Sequence, residues 1–459
     1  MSATEKTGSD LGVSRRGFLK STAAVGAGLA VAPTVLAAEP SADINVGVIG
    51  AGTQGRVLIE QAVKIPGIKF KAITDIWDYS QRYTSRRLMA YGHEVNVYTD
   101  YAEMLEKEKG NIQAVIIATP DFVHHEHACA CLEAGLQVYC EKEMSNDLAK
   151  AKQMVQTAKK TGNLLQIGHQ RRSNPRYLLA KNKLIDEADL PGRITHIYGQ
   201  WNRSTAASAP RGYPEKYPVD KAVLTKYGYE DMFQFRNWRF FWKYGGGAIE
   251  DIGSHQIDIF PWFTGGKPKS VQASGGTDYW KEYETYDNIL AIYEFETPKG
   301  VVRAFYQTLT TSSARGYFES FMGDTGTLSI SESPGQCRVY AEGHLPSVNG
   351  KHPWTPWVEK GYILQAKAEE EAAEEPQSAA DQIMAVYKSP APVAFLFNVE
   401  VESSYHQPHI ENFFNTMRGK AELNCPAEVG YETCVMVLKA NEAVKARKTL
   451  DFTEEDFTA

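Results

Sequence analysis

At 459 residues, with 43% hydrophobic and 23% charged residues, the chain has room for two or three domains with full-sized cores. Its net charge of −7 excludes a general attraction to nucleic acid or to anionic lipid. Six scattered cysteines show neither metal-ligand spacing nor a disulfide framework, so no metal is expected.

The amino terminus reads as an address. Ser14-Arg15-Arg16-Gly17-Phe18-Leu19-Lys20 precedes a mildly apolar run of alanine and glycine that ends in Ala37-Ala38. Paired arginines followed by such a run resemble a twin-arginine export signal spanning 1–38, which implies a periplasmic location. The run is short and contains Pro33, so stable membrane insertion is not expected.

Ile44 to Ile49 is an apolar strand, followed by Gly50-Ala51-Gly52-Thr53-Gln54-Gly55, a helical run from Arg56 to Lys64, and a second strand ending in Asp75. This order suits a dinucleotide. Gly50 permits a tight turn, Gly52 lets the backbone approach a pyrophosphate with Thr53 and Gln54 beside it, and Gly55 lets helix and strand pack closely. The helix N-terminus contributes partial positive charge. Asp75 can accept hydrogen bonds from a ribose 2′-hydroxyl and repels a 2′-phosphate, which favours NAD.

Alternation of strands and helices continues to Ile167, giving a Rossmann domain over 43–167 with a parallel sheet. Ile112–Ala118 is a buried-type strand ending in Thr119-Pro120, where nucleotide contacts fall. His124 to Ala134 is a helix closed by Gly135, and Gln137–Cys140 is a strand ending in Glu141-Lys142-Glu143. Thr119-Pro120, His124, Ala134-Gly135 and Glu141-Lys142 resemble the glucose–fructose oxidoreductase and inositol dehydrogenase (Gfo/Idh/MocA) family. Its pattern at the last of these is Glu-Lys-Pro, and this chain departs from it at Glu143. The resemblance implies cofactor contacts from Thr119, Pro120, His124, Glu141 and Lys142.

From residue 168 the resemblance implies an α+β domain, 168–459, for substrate binding and oligomerisation as a dimer or tetramer. It begins with a turn containing Arg172. The proline- and tyrosine-rich stretch from Trp201 to Arg236 is expected to fold over the site and shape the substrate pocket. Trp238-Arg239 leads into Gly245-Gly246-Gly247-Ala248 and then Asp251 and His255, whose spacing of four places both on one helix face. Runs of alternating residues from Ser270 to Ile330 indicate an open, mostly antiparallel sheet. The acidic, alanine-rich run Glu369–Glu375 reads as a solvated helix or loop. Two helices follow, 405–418 and 427–446, the first carrying His409.

These readings converge on an NAD-dependent oxidoreductase acting on a hydroxyl of a sugar, glycoside or cyclitol. His255 is expected as general acid/base, Lys142 as stabiliser of the reacting oxygen, and Asp251 as a substrate or orienting group. Arg172, Trp238, Arg239 and His409 complete the expected substrate contacts. Export of the folded protein implies that NAD stays tightly bound and is regenerated in place. Two alternatives remain open from sequence: an NAD-dependent glycosidase working by oxidation, elimination and reduction, and a non-enzymatic nucleotide-bound sugar sensor.

Overall fold

The computed structural model describes residues 43–366 and 389–459. The export-signal stretch and the acidic run Glu369–Glu375 lie outside the described residues.

Six strands form the first sheet: β1 (Ile44–Ile49), β2 (Ile68–Thr74), β3 (Asn96–Tyr98), β4 (Ala114–Ile117), β5 (Gln137–Cys140) and β6 (Leu165–Ile167). All are parallel, in the order β3-β2-β1-β4-β5-β6. Helices α1 (Thr53–Ala62), α2 (Asp78–Ala90), α3 (Tyr101–Lys107), α4 (Asp121–Glu133) and α5 (Leu148–Thr161) connect them. Continuous apolar runs form the central strands because both faces are covered; β4 is buried at every position. β3 is a short edge strand with two exposed residues, so it carries no apolar run to announce it. Strand order reverses between β1 and β4, and that switch point opens a crevice at the carboxyl ends of the strands.

The second sheet has ten strands in the order β14-β15-β13-β12-β11-β7-β10-β9-β8-β16. They are β7 (Ile194–Asn202), β8 (Lys267–Gly276), β9 (Asn288–Thr297), β10 (Gly300–Leu309) and β11 (Tyr317–Gly323), followed by β12 (Gly326–Ile330), β13 (Arg338–Ala341), β14 (Ile363–Gln365), β15 (Val393–Phe397) and β16 (Leu450–Asp451). Only β7 and β10 pair in parallel, so the sheet is mostly antiparallel. On β9, Ile289, Ala291, Tyr293 and Phe295 are buried while Leu290 and Ile292 are exposed, the alternation of a sheet covered on one face.

The carboxyl-terminal helices return to the first sheet. On helix Gln407–Met417, Ile410, Phe413 and Phe414 join the core beside α1 and β1. Helix Ala427–Ala446 is buried on two sides: Tyr431, Cys434 and Val435 face the parallel sheet, and Met436, Val437 and Ala440 face the large one. Each fully buried Val or Met contributes roughly 1.5–3 kcal/mol. A Cβ on Gly430 would lie 2.5 Å from Ile167 Cγ1, so the helix touches β6 with no room for a side chain. All six cysteines are buried free thiols. No helix among the described residues is long and apolar enough to cross a membrane.

Candidate active site

The turn after β1 supplies the floor of a cavity of about 550 Å³, within the range of small-molecule and cofactor sites. Gly50 has φ 94°, a left-handed conformation, and a Cβ there would meet the Ala118 backbone at 2.7 Å. A Cβ on Gly55 would lie 2.0 Å from Gly50 O. Gly52 has nothing within 4 Å of its Cβ position, so the space above it is open to a ligand. No side chain caps α1, and the first helical bond runs from Arg56 N–H to Gly52 O at 3.0 Å. The N–H groups at the start of α1 are therefore left for an anion.

Asp75 lies just beyond the end of β2, lines the cavity, and accepts the Trp77 N–H at 2.8 Å. Burial raises its carboxyl pKa to about 6 against the opposing pull of backbone N–H groups and Arg56. It is therefore predominantly a carboxylate at neutral pH. Together the open cradle, the uncapped helix and this acid fit an NAD-type dinucleotide.

Lys142, Asp251 and His255 come together opposite that floor. The ammonium of Lys142 donates to the Asp251 carbonyl oxygen and sits 3.7 Å from its carboxylate Oδ1. Asp251 also receives Arg239 Nε at 2.7 Å and Arg203 Nη1 at 3.3 Å. Burial pushes its carboxyl upward, but Arg239, Lys142 and Arg203 outweigh burial and hold it well below the usual carboxylate range. His255 is 8% exposed, with its ring 5.4 Å from that of Trp201, which stacks on Tyr317 at 4.5 Å. Burial first, then the positive charges of Lys142 and Arg171, depress its pKa far below that of a free imidazole. The ring is neutral at physiological pH and can accept a proton. Residues Ile249–Gly253 form a π-helical turn continuing into Ser254–Ile257, so Asp251 and His255 both reach the cavity.

Thr53, Gln54, Thr119, Pro120, Glu141, Trp238 and Arg239 also line the cavity, with Gln54 Nε2 donating to Glu141 Oε1 at 3.1 Å. Three expectations need correction. His124 is fully buried, its ring nitrogens 2.7 Å from the carbonyl oxygens of Glu143 and Thr119; it ties two loops together and lies behind the cavity. Arg172 forms a buried ion pair with Asp258 at 2.8 Å and stacks over Trp262, away from the cavity. His409 is buried between Ser173 Oγ at 2.7 Å and Ile167 O at 2.8 Å. His406, one helical turn earlier, is the histidine that lines the cavity, with Nε2 3.2 Å from Gln54 Nε2. Gly55 packs under the turn and does not line the cavity.

The Lys142–Glu143 peptide bond is cis. Glu143 turns inward, is wholly buried, and accepts the Met144 N–H at 2.9 Å. Burial raises its carboxyl pKa to about 8, so it is largely protonated at neutral pH. Lys142 still reaches Asp251 despite this departure from Glu-Lys-Pro.

The stretch 203–236 closes the cavity with Arg203, Arg211, Tyr227, Tyr229, Phe235 and Arg236. Its own small core includes Val219, Leu224, Tyr229 and Met232 packed with Trp77 from the other half. The Trp77 Nε1–H donates to Tyr217 O at 2.7 Å. The composition of this stretch signalled a cover, but nothing in its spacing marked the individual arginines. Trp201 was likewise unmarked.

Residues 44–169 match the family described as oxidoreductase family, NAD-binding Rossmann fold, and residues 219–329 match the GFO/IDH/MocA C-terminal domain. The chain belongs to the Gfo/Idh/MocA oxidoreductase family. Inositol 2-dehydrogenase 2 of Saccharopolyspora erythraea is 27% identical over 191 residues, 41% of this chain and 52% of that relative. The chain spans about half the length of the curated relatives it matches. Among solved structures, the WlbA dehydrogenase from Bordetella pertussis in complex with NADH and UDP-GlcNAcA superposes with TM-score 0.61 at 18% identity, covering 90% of this chain and 98% of that one. Myo-inositol 2-dehydrogenase from Lactobacillus plantarum gives TM-score 0.61 at 19% identity, covering 90% of this chain and all of the other. These likenesses establish the fold.

Proposed function

We propose that this Gfo/Idh/MocA protein is an NAD-dependent oxidoreductase acting on a hydroxyl of a sugar, glycoside or cyclitol. The observation that carries this reading is the convergence of a neutral, buried His255 and the cationic Lys142 on one cavity with the glycine cradle. Relatives that include inositol dehydrogenases agree with that substrate class.

The residues divide the work. NAD, when bound along the cradle, supplies a hydride acceptor. His255 takes the hydroxyl proton of the substrate, its lowered basicity keeping it unprotonated and ready. Lys142 donates a hydrogen bond to the same oxygen and stabilises the negative charge that develops there. Asp251, already saturated by three cations, positions Lys142, Arg203 and Arg239. Trp201 and Tyr317 present a stacked face against which a sugar ring can lie.

The paired-arginine signal supports export to the periplasm with NAD already inside and recycled in place. Denaturing the exported protein and identifying the released nucleotide by mass tests this; absence of NAD defeats it. Incubation with free sugars and aryl glycosides then tests the reaction. A ketosugar is the expected product. Phenol release with no net NADH would establish the glycosidase instead, and sugar binding without turnover across the panel would establish the sensor.

A further inference from the structure

Beside the main cavity lies a recess of about 20 Å³, room for one water-sized atom, lined by Arg203, Ser208, Arg211, Arg236, Arg239 and Asp251 among others. Four arginines and one aspartate line it. Asp251 is already shared between Arg203, Arg239 and Lys142. Arg236 donates Nε–H to Gly212 O at 3.1 Å and lies over the Trp77 ring. The guanidinium of Arg211 makes no ion pair among the described residues, although its backbone is pinned to Asn237 by hydrogen bonds at 2.7 and 3.2 Å. Asp75, Asp121 and Glu141 act on Arg236 and Arg239 from a distance and do not line the recess.

A second, independent observation points the same way. Ser208 is 6% exposed, and its Oγ is buried without a hydrogen-bond partner among the described residues. A buried hydroxyl without a partner is costly, and a surplus of guanidinium groups is self-repelling. One oxyanion at the mouth of the recess would satisfy both. The main cavity shares all four arginines, so such a group can be carried by whatever lies against His255.

We propose that this recess is an anion subsite, and that the sugar this protein takes carries an oxyanion group, a carboxylate or a sulfate ester. The inference rests on the reading of the main cavity as a carbohydrate site. The obvious competitor is the pyrophosphate of the dinucleotide. Every residue lining the recess comes from position 203 or later, so the glycine turn contributes nothing to it. Arg203 and Arg239 moreover converge on Asp251, on the same helical stretch as His255.

The test is calorimetric titration of the full chain loaded with NAD. Hexuronates and hexose sulfates are each compared with the matching neutral hexose at one salt concentration. Acidic sugars are expected to bind about tenfold or more tightly than their neutral counterparts, the scale of one charge-assisted hydrogen bond. Whichever acid is preferred distinguishes carboxylate from sulfate. Arg211→Gln, a surface-loop change that spares the core, is expected to erase most of that preference, and Ser208→Ala part of it, with NAD retention unchanged. Equal affinity for acidic and neutral sugars, or no binding of either, overturns the proposal. So does an Arg211→Gln protein that loses NAD while keeping the acid preference. An acid preference that persists without any hydride transfer upholds the subsite and defeats the oxidoreductase reading instead.

Discussion

The floor and the roof of the cavity are built on opposite principles. The floor, from Gly50 to Gly55 and the ends of β4 and β5, recognises a ligand through backbone: open space above Gly52, an uncapped helix, and one acid at Asp75. The roof, from Trp201 to His255, works through long side chains pinned by ion pairs, with Asp251 gripping Lys142, Arg203 and Arg239. A backbone site tolerates no added atom, whereas a side-chain site depends on charges being balanced by neighbours. The two halves should therefore fail in different ways.

The largest separation is expected from His255→Ala. Hydride transfer should fall about 10²–10⁴-fold while NAD stays bound; single-turnover nicotinamide absorbance and nucleotide content measure the two. Full turnover with bound NAD would refute the assignment of the base. Arg171→Met should act through the roof's support. Arg171 is 1% exposed and pairs with Glu319 and with Glu332, the latter at 3.3 Å, so its loss strands two buried acids. Urea unfolding should show a loss of about 3–5 kcal/mol.

The floor should break more narrowly. Gly55→Ala places a methyl 2.0 Å from Gly50 O, and crowding of this kind costs about 1–3 kcal/mol, or roughly 5–150-fold in NAD affinity. Sugar binding at the roof should change little, and an equal loss at both would erase the distinction between them. A change in pH dependence alone is expected at Glu143. Its folded pKa of about 8 lies above the ordinary 4.5, so its contribution to stability is complete below pH 4.5 and is lost as pH rises through 8. Glu143→Gln should flatten that decline between pH 4.5 and 8, which has an upper slope of about 1.4 kcal/mol per pH unit. Parallel pH profiles of melting temperature for the two proteins would show Glu143 to be silent.

The same contrast explains what could be read from sequence. The glycine cradle, Asp75 and the central strands are legible because backbone geometry restricts residue type locally: only glycine fits at positions 50 and 55. Strands β5, β9, β10 and β12 carry alternating or continuous apolar patterns and are legible for the same reason. The roof is not local. Arg172 reads as a binding arginine until Asp258, far along the chain, is found beside it. His409 and His406 look equivalent in sequence, and only helix packing decides that one meets Ile167 O and the other the cavity. Strands β14 and β16, three and two residues long at opposite edges of the sheet, have too few residues for a pattern.

The burial of helix Ala427–Ala446 between the two sheets has a consequence for the order of assembly. Tyr431, Cys434 and Val435 complete the core of the parallel sheet, although that sheet is synthesised first. The cofactor half consequently cannot close its interior until nearly the whole chain has left the ribosome. The nascent amino-terminal half must wait, with β5 and β6 uncovered on one side, for a segment more than two hundred residues away.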